Sequence, residues 1–331
     1  RILNSSYRKN NIHLEREKCF LEIARIRSES GSFYVSADHC DSGALMSLES
    51  DEIIKHDADC GGYFITHDIY EEWALDKVID REFRKTTNFK DFFLAIGGSL
   101  SIRRAFRVWL SERLLTNQDE VKTLVEHSIV HEEIEVFWKD EILISVLLSD
   151  YSGIFFEIFE TKLVEDKQEM LLRIIFLLRT ACKEIDEGLL RLLGLKELGK
   201  NALKTVFTLP KGNGWCHAID FIHKHNKEIV NLGNMHVVIP LLDDWNTKHK
   251  DGDTTQKASQ IGLYYYEEIA LRGGIGYRHD EKESQLIKVI LNGSLEIKKE
   301  LSQIFEEVLS SKDTSHREKY YPLVKTILTS I

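Results

Sequence analysis

Residues 61 to 75 read Gly61-Gly62-Tyr63-Phe64-Ile65-Thr66-His67-Asp68-Ile69-Tyr70-Glu71-Glu72-Trp73-Ala74-Leu75. The two glycines end a turn-forming run, Asp57-Ala58-Asp59-Cys60-Gly61-Gly62, and the β-prone stretch Tyr63 to Ile65 follows directly. A second β-prone run, Glu52 to Lys55, precedes the turn, so the two predict a β-hairpin. Thr66 then stands where a helix N-cap is expected. Asp68, Glu71 and Glu72 put negative charge in the first turns of a helix running to about Arg84, where the helix dipole favours it. Working upstream, Ala44 to Leu48 suits a short helix, and Phe33-Tyr34-Val35 suits a very short strand. Arg16 to Arg27 places Phe20, Leu21, Ile23 and Ala24 on one helical face. Helix, helix, hairpin, helix is the outline of a small winged-helix module, which we place at residues 16–87. Residues 1–15 are mostly polar and read as a linker.

Working downstream, the β signal nearly vanishes after Asn88. Apolar clusters recur in helix-length blocks: Phe92 to Leu115, Val121 to Leu148, Ile154 to Leu163, Met170 to Leu193, Ala218 to Ile229, His236 to Trp245, Ala258 to Leu271 and Leu286 to Leu309. Polar or glycine-containing breaks separate them. Stacked helix pairs that bury their inner faces on one another give this pattern. No strict period is visible, so residues 88–331 are expected to form irregular, HEAT-like or TPR-like helical repeats. The fold class expected for the chain is mainly α.

Composition agrees with a helical, globular chain. Of 331 residues, 43% are hydrophobic and 30% charged, with three Pro and nineteen Gly. Scarce Pro keeps backbone donors intact, and modest Gly limits the entropy cost of helices. The net charge of −10 disfavours an extended nucleic-acid surface. Five scattered cysteines, an odd number, fit reduced thiols in a cytoplasmic protein better than a disulfide framework. The longest apolar runs, Ile142 to Leu148 and Met170 to Leu178, are too short to span a bilayer. The chain begins at Arg1 and its first Met is Met46, which reads as an internal segment of a longer polypeptide.

The hairpin-to-helix junction resembles the end of the winged-helix domain in STAND NTPases, the signal-transducing ATPases that include NACHT and NB-ARC proteins. In that family a Met-His-Asp-type motif sits at this junction and its His points to the β-phosphate of bound ADP. Thr66-His67-Asp68 takes that place here, with Thr66 departing from the family's Met. The run from Leu48 to Leu75 is similar to the bacterial antiviral members. So are Ile96-Gly97-Gly98-Ser99-Leu100-Ser101-Ile102-Arg103-Arg104-Ala105-Phe106 and Pro210-Lys211-Gly212-Asn213-Gly214-Trp215. The likeness covers residues 17 to 115 well and the rest loosely.

The resemblance implies that His67 and Asp68 are the cofactor-binding residues, and that ATP or ADP with magnesium is held by an upstream NTPase domain. It further implies a protein ligand on the helical repeats, which could be a phage component, and a homo-oligomer on activation. The chain itself is then not an enzyme, and no catalytic residue is assigned. Local chemistry is compatible with this role. A helix N-terminus offers unsatisfied N–H groups to an anion, and imidazole can donate to a phosphate oxygen. A purely structural helix start is the plain alternative. At the level of the whole chain, the alternatives are a winged-helix DNA-binding regulator with a helical oligomerisation arm, and an α-helical scaffold. The acidic start of the 68–84 helix disfavours the first.

Other constellations carry less. Gly194 to Asn201 nearly spells a phosphate-binding loop, but Asn201 lacks the magnesium-ligating hydroxyl and a helical stretch precedes it. Gly273-Gly274-Ile275-Gly276 reads as a loop between helices. His39, Cys40, His56 and Cys60, like Cys216, His217, His223 and His225, lack metal-ligand spacing, so no metal site is assigned. Arg103, Arg104, Arg107 and Arg113 are expected to be solvated or acid-paired around an apolar face of Ile102, Ala105, Phe106, Trp109 and Leu110. Phe155-Phe156 and Tyr264-Tyr265-Tyr266 are expected to be helix core and rim.

Overall fold

The computed structural model describes residues 12–194, 208–271, 281–292 and 295–312, together with residues 314, 315, 317, 318, 320 and 321. It is mainly helical. The chain divides into two compact units, Arg1–Ser145 and Val146–Ile331.

In the first unit, α1 (Ile12–Ser30) packs on α2 (Ser42–Ser50), and the antiparallel hairpin β1 (Ile54–Asp57) and β2 (Gly62–Ile65) follows. The register pairs Ile54 with Ile65 and Asp57 with Gly62. Asp57 sets the turn: its carboxylate accepts from the amides of Asp59 (3.0 Å) and Cys60 (2.9 Å), an Asx-type turn that holds its pKa below the usual aspartate value. The strand expected at Phe33 to Val35 is reduced to one bridge, in which Val35 exchanges two backbone hydrogen bonds with Tyr63.

Helix α3 (Asp68–Lys85) buries Ala74, Leu75 and Ile79 and packs along both α1 and α5 (Leu100–Thr116). The apolar block 92–115 is two helices. Gly97, at φ +73°, ends α4 (Phe89–Ile96), and Ser99 caps α5 by accepting from the Ile102 amide. Phe83, Phe92, Phe93, Phe106, Trp109 and Trp138 form the aromatic centre of this unit, with ring centroids 4.8–6.4 Å apart. Each fully buried aromatic contributes about 1.5–3 kcal/mol of transfer free energy. The block 121–148 is likewise split, into α6 (Gln118–Val130) and α7 (Val136–Leu148).

The second unit contains α8 (Ser152–Ile158), α9 (Glu160–Val164), α10 (Glu169–Thr180), β3 (Lys183–Ile185), α11 (Glu187–Leu192), β4 (Thr208–Pro210), α12 (Gly214–Lys224), α13 (Asn226–Ile229), α14 (Met235–Lys248), α15 (Asp253–Leu271), α16 (Glu281–Leu291) and α17 (Leu295–Ser310). Here α15 packs against α12, α14 and α16, and α14 packs against α10 and α16. Strands β3 and β4 pair antiparallel over three residues. That short ribbon is compatible with the mainly α expectation, because the packed interior is built by helices.

Buried polar side chains tie these helices together. Asn234 donates to Gln168 Oε1 (2.6 Å) and to the Ile229 carbonyl (2.7 Å), and accepts from the Tyr265 hydroxyl (2.5 Å). Phe155, Phe156, Tyr265 and Tyr266 are core residues. The sequence readings at residues 1–11, at 195–201 of the phosphate-loop look-alike and at Gly273–Gly276 lie outside the described residues.

Candidate functional site

Thr66 is not the cap its position suggested. Its hydroxyl donates to the carbonyls of Glu52 (2.6 Å) and Ile53 (3.1 Å), and its amide donates to Ile53. These bonds tie the end of β2 back to the residues before β1. The N-cap position of α3 falls to His67, in extended backbone with no side-chain cap bond. Its imidazole is exposed, edge-on to Tyr70 at 5.4 Å, and Tyr70 leans on Trp73 at 5.8 Å. Asp68, the first helical residue, is also exposed. The helix start therefore presents a free imidazole beside amides that no side chain caps.

One cation organises the ground behind the junction. The Arg27 guanidinium donates to the Ile65 carbonyl (3.4 Å), lies 3.6 Å from the Glu71 carboxylate, and sits 4.8 Å from the centre of the Phe33 ring. Burial raises the Glu71 pKa, and Arg27 opposes that rise. The site thus combines donors suited to an acceptor ligand with acids at Asp68, Glu71 and Glu72 that select against an unshielded anion. A phosphate carrying its own magnesium, or held by further cations, meets both conditions.

The arginines of α5 are mostly matched within their own unit. Arg103 lies over the Phe137 ring at 5.3 Å, Arg107 pairs with Glu141, and Arg113 pairs with Asp80 and Glu120. The histidines 217, 223 and 225 do not share a site: the first two hydrogen-bond to Ser152 and Gln260, and His225 Nε2 lies 2.9 Å from the Glu160 carboxylate. Among the described residues no group of three His, Cys, Asp or Glu side chains is placed to hold a metal ion.

A surface groove of about 260 Å³ runs between α8 and α12, walled by Phe156 and Phe221 and bordered by Glu157, Glu160, His217 and Asp220. Ser152 Oγ lies 2.8 Å from His217 Nδ1 and 3.0 Å from the Ser149 carbonyl oxygen. The one hydroxyl proton can go to the backbone carbonyl or to the imidazole, and the His217 tautomer decides which.

Comparison with models of known protein families and with the curated proteins finds no match to this chain.

The junction was legible because all its parts lie within fifteen consecutive residues. The Ser152–His217 pair was not, because its partners are 65 positions apart and neither lies in a recognisable spacing. Arg27 was also missed: it is one basic residue in a charged helix, and only the packing of α1 on α3 brings it beneath the hairpin end.

Proposed function

We propose that this chain is the part of a STAND-type signalling ATPase that follows its P-loop domain, with a winged-helix module at residues 16–87 and irregular HEAT-like or TPR-like repeats beyond. The observation that supports this reading is the exposed, uncapped His67-Asp68 start of α3, delivered by a β-hairpin. That geometry lets His67 donate to a phosphate of ADP or ATP held with magnesium by an upstream NTPase domain. The helical region binds a protein partner, in antiphage defence a phage component, and activation brings copies together. The chain carries no hydrolytic machinery of its own on this reading and works in the bacterial cytoplasm. Among the described residues no helix is long and apolar enough to cross a membrane. The DNA-binding alternative is disfavoured by Asp68, Glu71, Glu72, Asp76 and Asp80 along α3, since a recognition helix must neutralise several phosphates of the DNA backbone at once.

The test is nucleotide retention by the full-length protein carrying His67→Ala. A donor that binds the closed state better than the open one holds part of the balance between them. Loss of that donor is expected to speed ADP release and alter signalling output, with the helical content of the chain unchanged. Unchanged retention and output in a folded protein would reduce His67 to a helix-start residue.

A further inference from the structure

Helix α5 turns one face to the core through Ile102, Ala105, Phe106, Trp109, Leu110 and Leu114. Its opposite face is the unusual one. Leu100 is 68% exposed, Val108 58% and Leu115 72%, and Arg104 and Glu112 lie exposed between them. Leu100, Arg104, Val108 and Glu112 form one unbroken i, i+4 ridge, the row that interdigitates in the commonest class of helix packing. Leu115 lies one turn on, at the same stripe. Surface helices ordinarily place charge along such a face, and three large aliphatic side chains in line mark a contact surface.

The charges on the stripe are also unsettled. The other arginines described above are matched, whereas Arg104 makes no hydrogen bond or ion pair among the described residues. Glu112 faces a like charge: it raises the pKa of Asp76 on α3, where burial is the larger cause and Asp80 adds to it. Each end of the stripe therefore offers what the other lacks.

We propose that the Leu100–Leu115 face of α5 is a self-association surface on which a second copy of this chain packs antiparallel about a two-fold axis near Val108. The order of the residues specifies this occupant. Arg104 lies four residues before Val108 and Glu112 four after, about 6 Å to either side along the helix. An antiparallel copy sets each Arg104 against the other copy's Glu112, Leu100 against Leu115, and Val108 against itself. A two-fold interface requires this self-complementarity of one patch. A parallel copy would instead oppose Arg104 to Arg104 and Glu112 to Glu112. One helix face buries less than a standard-size interface, so the pair is a weak one, with dissociation in the micromolar range or above. This surface is independent of the nucleotide reading and needs no trigger.

The test is sedimentation equilibrium of the chain from low micromolar to about millimolar concentration, with charge-reversal variants. Arg104→Glu and Glu112→Arg should each weaken dimerisation about tenfold, because the two-fold axis counts every reversed pair twice. The double reversal should restore the wild-type constant to within about threefold, which a generic loss of surface polarity would not do. Val108→Glu should abolish the dimer. The side chains of all three substituted residues face solvent, and circular dichroism would verify that each variant keeps its helices. A wild-type chain that stays monomeric throughout, a dimer indifferent to the single reversals, or a double reversal that fails to recover would each overturn the proposal.

Discussion

Replacing Gly212 by alanine should destabilise the second unit severely, and for a reason specific to its place. Gly212 sits at φ +84°, and a Cβ there would lie 2.6 Å from both the Leu147 carbonyl oxygen and Leu148 Cα. That is about 0.8 Å inside ordinary contact, and both obstacles are backbone atoms of α7 that no rotamer change can remove. Left-handed backbone costs an alanine about 1–2 kcal/mol, and overpacking adds about 1–3 kcal/mol. Gly252 is the control: at φ +107° with nothing within 4 Å of its Cβ, Gly252→Ala carries the backbone cost alone. The two variants should therefore differ by about 1–3 kcal/mol, or roughly 0.5–1.5 M in urea midpoint at a slope of ~2 kcal/mol/M. Urea denaturation followed by far-UV circular dichroism measures this directly. Gly212→Ala proving no worse than Gly252→Ala would refute the claim that the loop is pressed against the end of α7. The same geometry accounts for Gly214, whose Cβ would come within 2.7 Å of the same Leu147 oxygen.

Asn234→Ala should cost about 2–4 kcal/mol, because it strands the Tyr265 hydroxyl and Gln168 in the interior; thermal denaturation would show it, and a loss below 1 kcal/mol would contradict the hub. Asp76→Asn should raise the thermal midpoint at neutral pH. Burial, Glu112 and Asp80 raise the Asp76 pKa, so its contribution to stability is present below the ordinary aspartate range and is lost as pH rises through the folded value. The gain should vanish on acidification to that range, and a variant less stable than wild type at neutral pH would reverse the sign. Iodoacetamide at neutral pH should label exposed Cys60 first and the buried Cys19 and Cys182 last, and burial also pushes the Cys19 thiol far above its usual pKa. Peptide mass spectrometry would read the order, and equal rates would sink it.

The legible parts of the fold were those written in short range. The turn at Asp57, the paired β-prone runs and the acidic first turn of α3 all sit beside what they specify. Element boundaries were harder. The breaks at Gly97–Ser99 and His131–Glu135 lie inside apolar runs, and periodicity continues across a one-turn interruption. The β3–β4 ribbon left no signal, because three residues are too few to show alternation and their partners lie 23 to 27 positions away. Thr66 was misplaced as a cap for a related reason. A hydroxyl before a helix can bond forward to amides or back across a hairpin, and only the hairpin's register decides.

The five tryptophans divide unevenly between solvent and interior. Trp109, Trp138 and Trp215 are almost fully buried and Trp245 is 9% exposed, while Trp73 is 49% exposed, one helical turn beyond Tyr70 and its contact with His67. The junction thus carries its own optical label. Iodide, which reaches only accessible indoles, should extinguish the emission of Trp73 and leave the rest. Whatever comes to rest on the start of α3, a nucleotide-bearing domain or another protein, would shield that fluorophore and be timed by ordinary stopped-flow fluorescence, without a dye or a substitution.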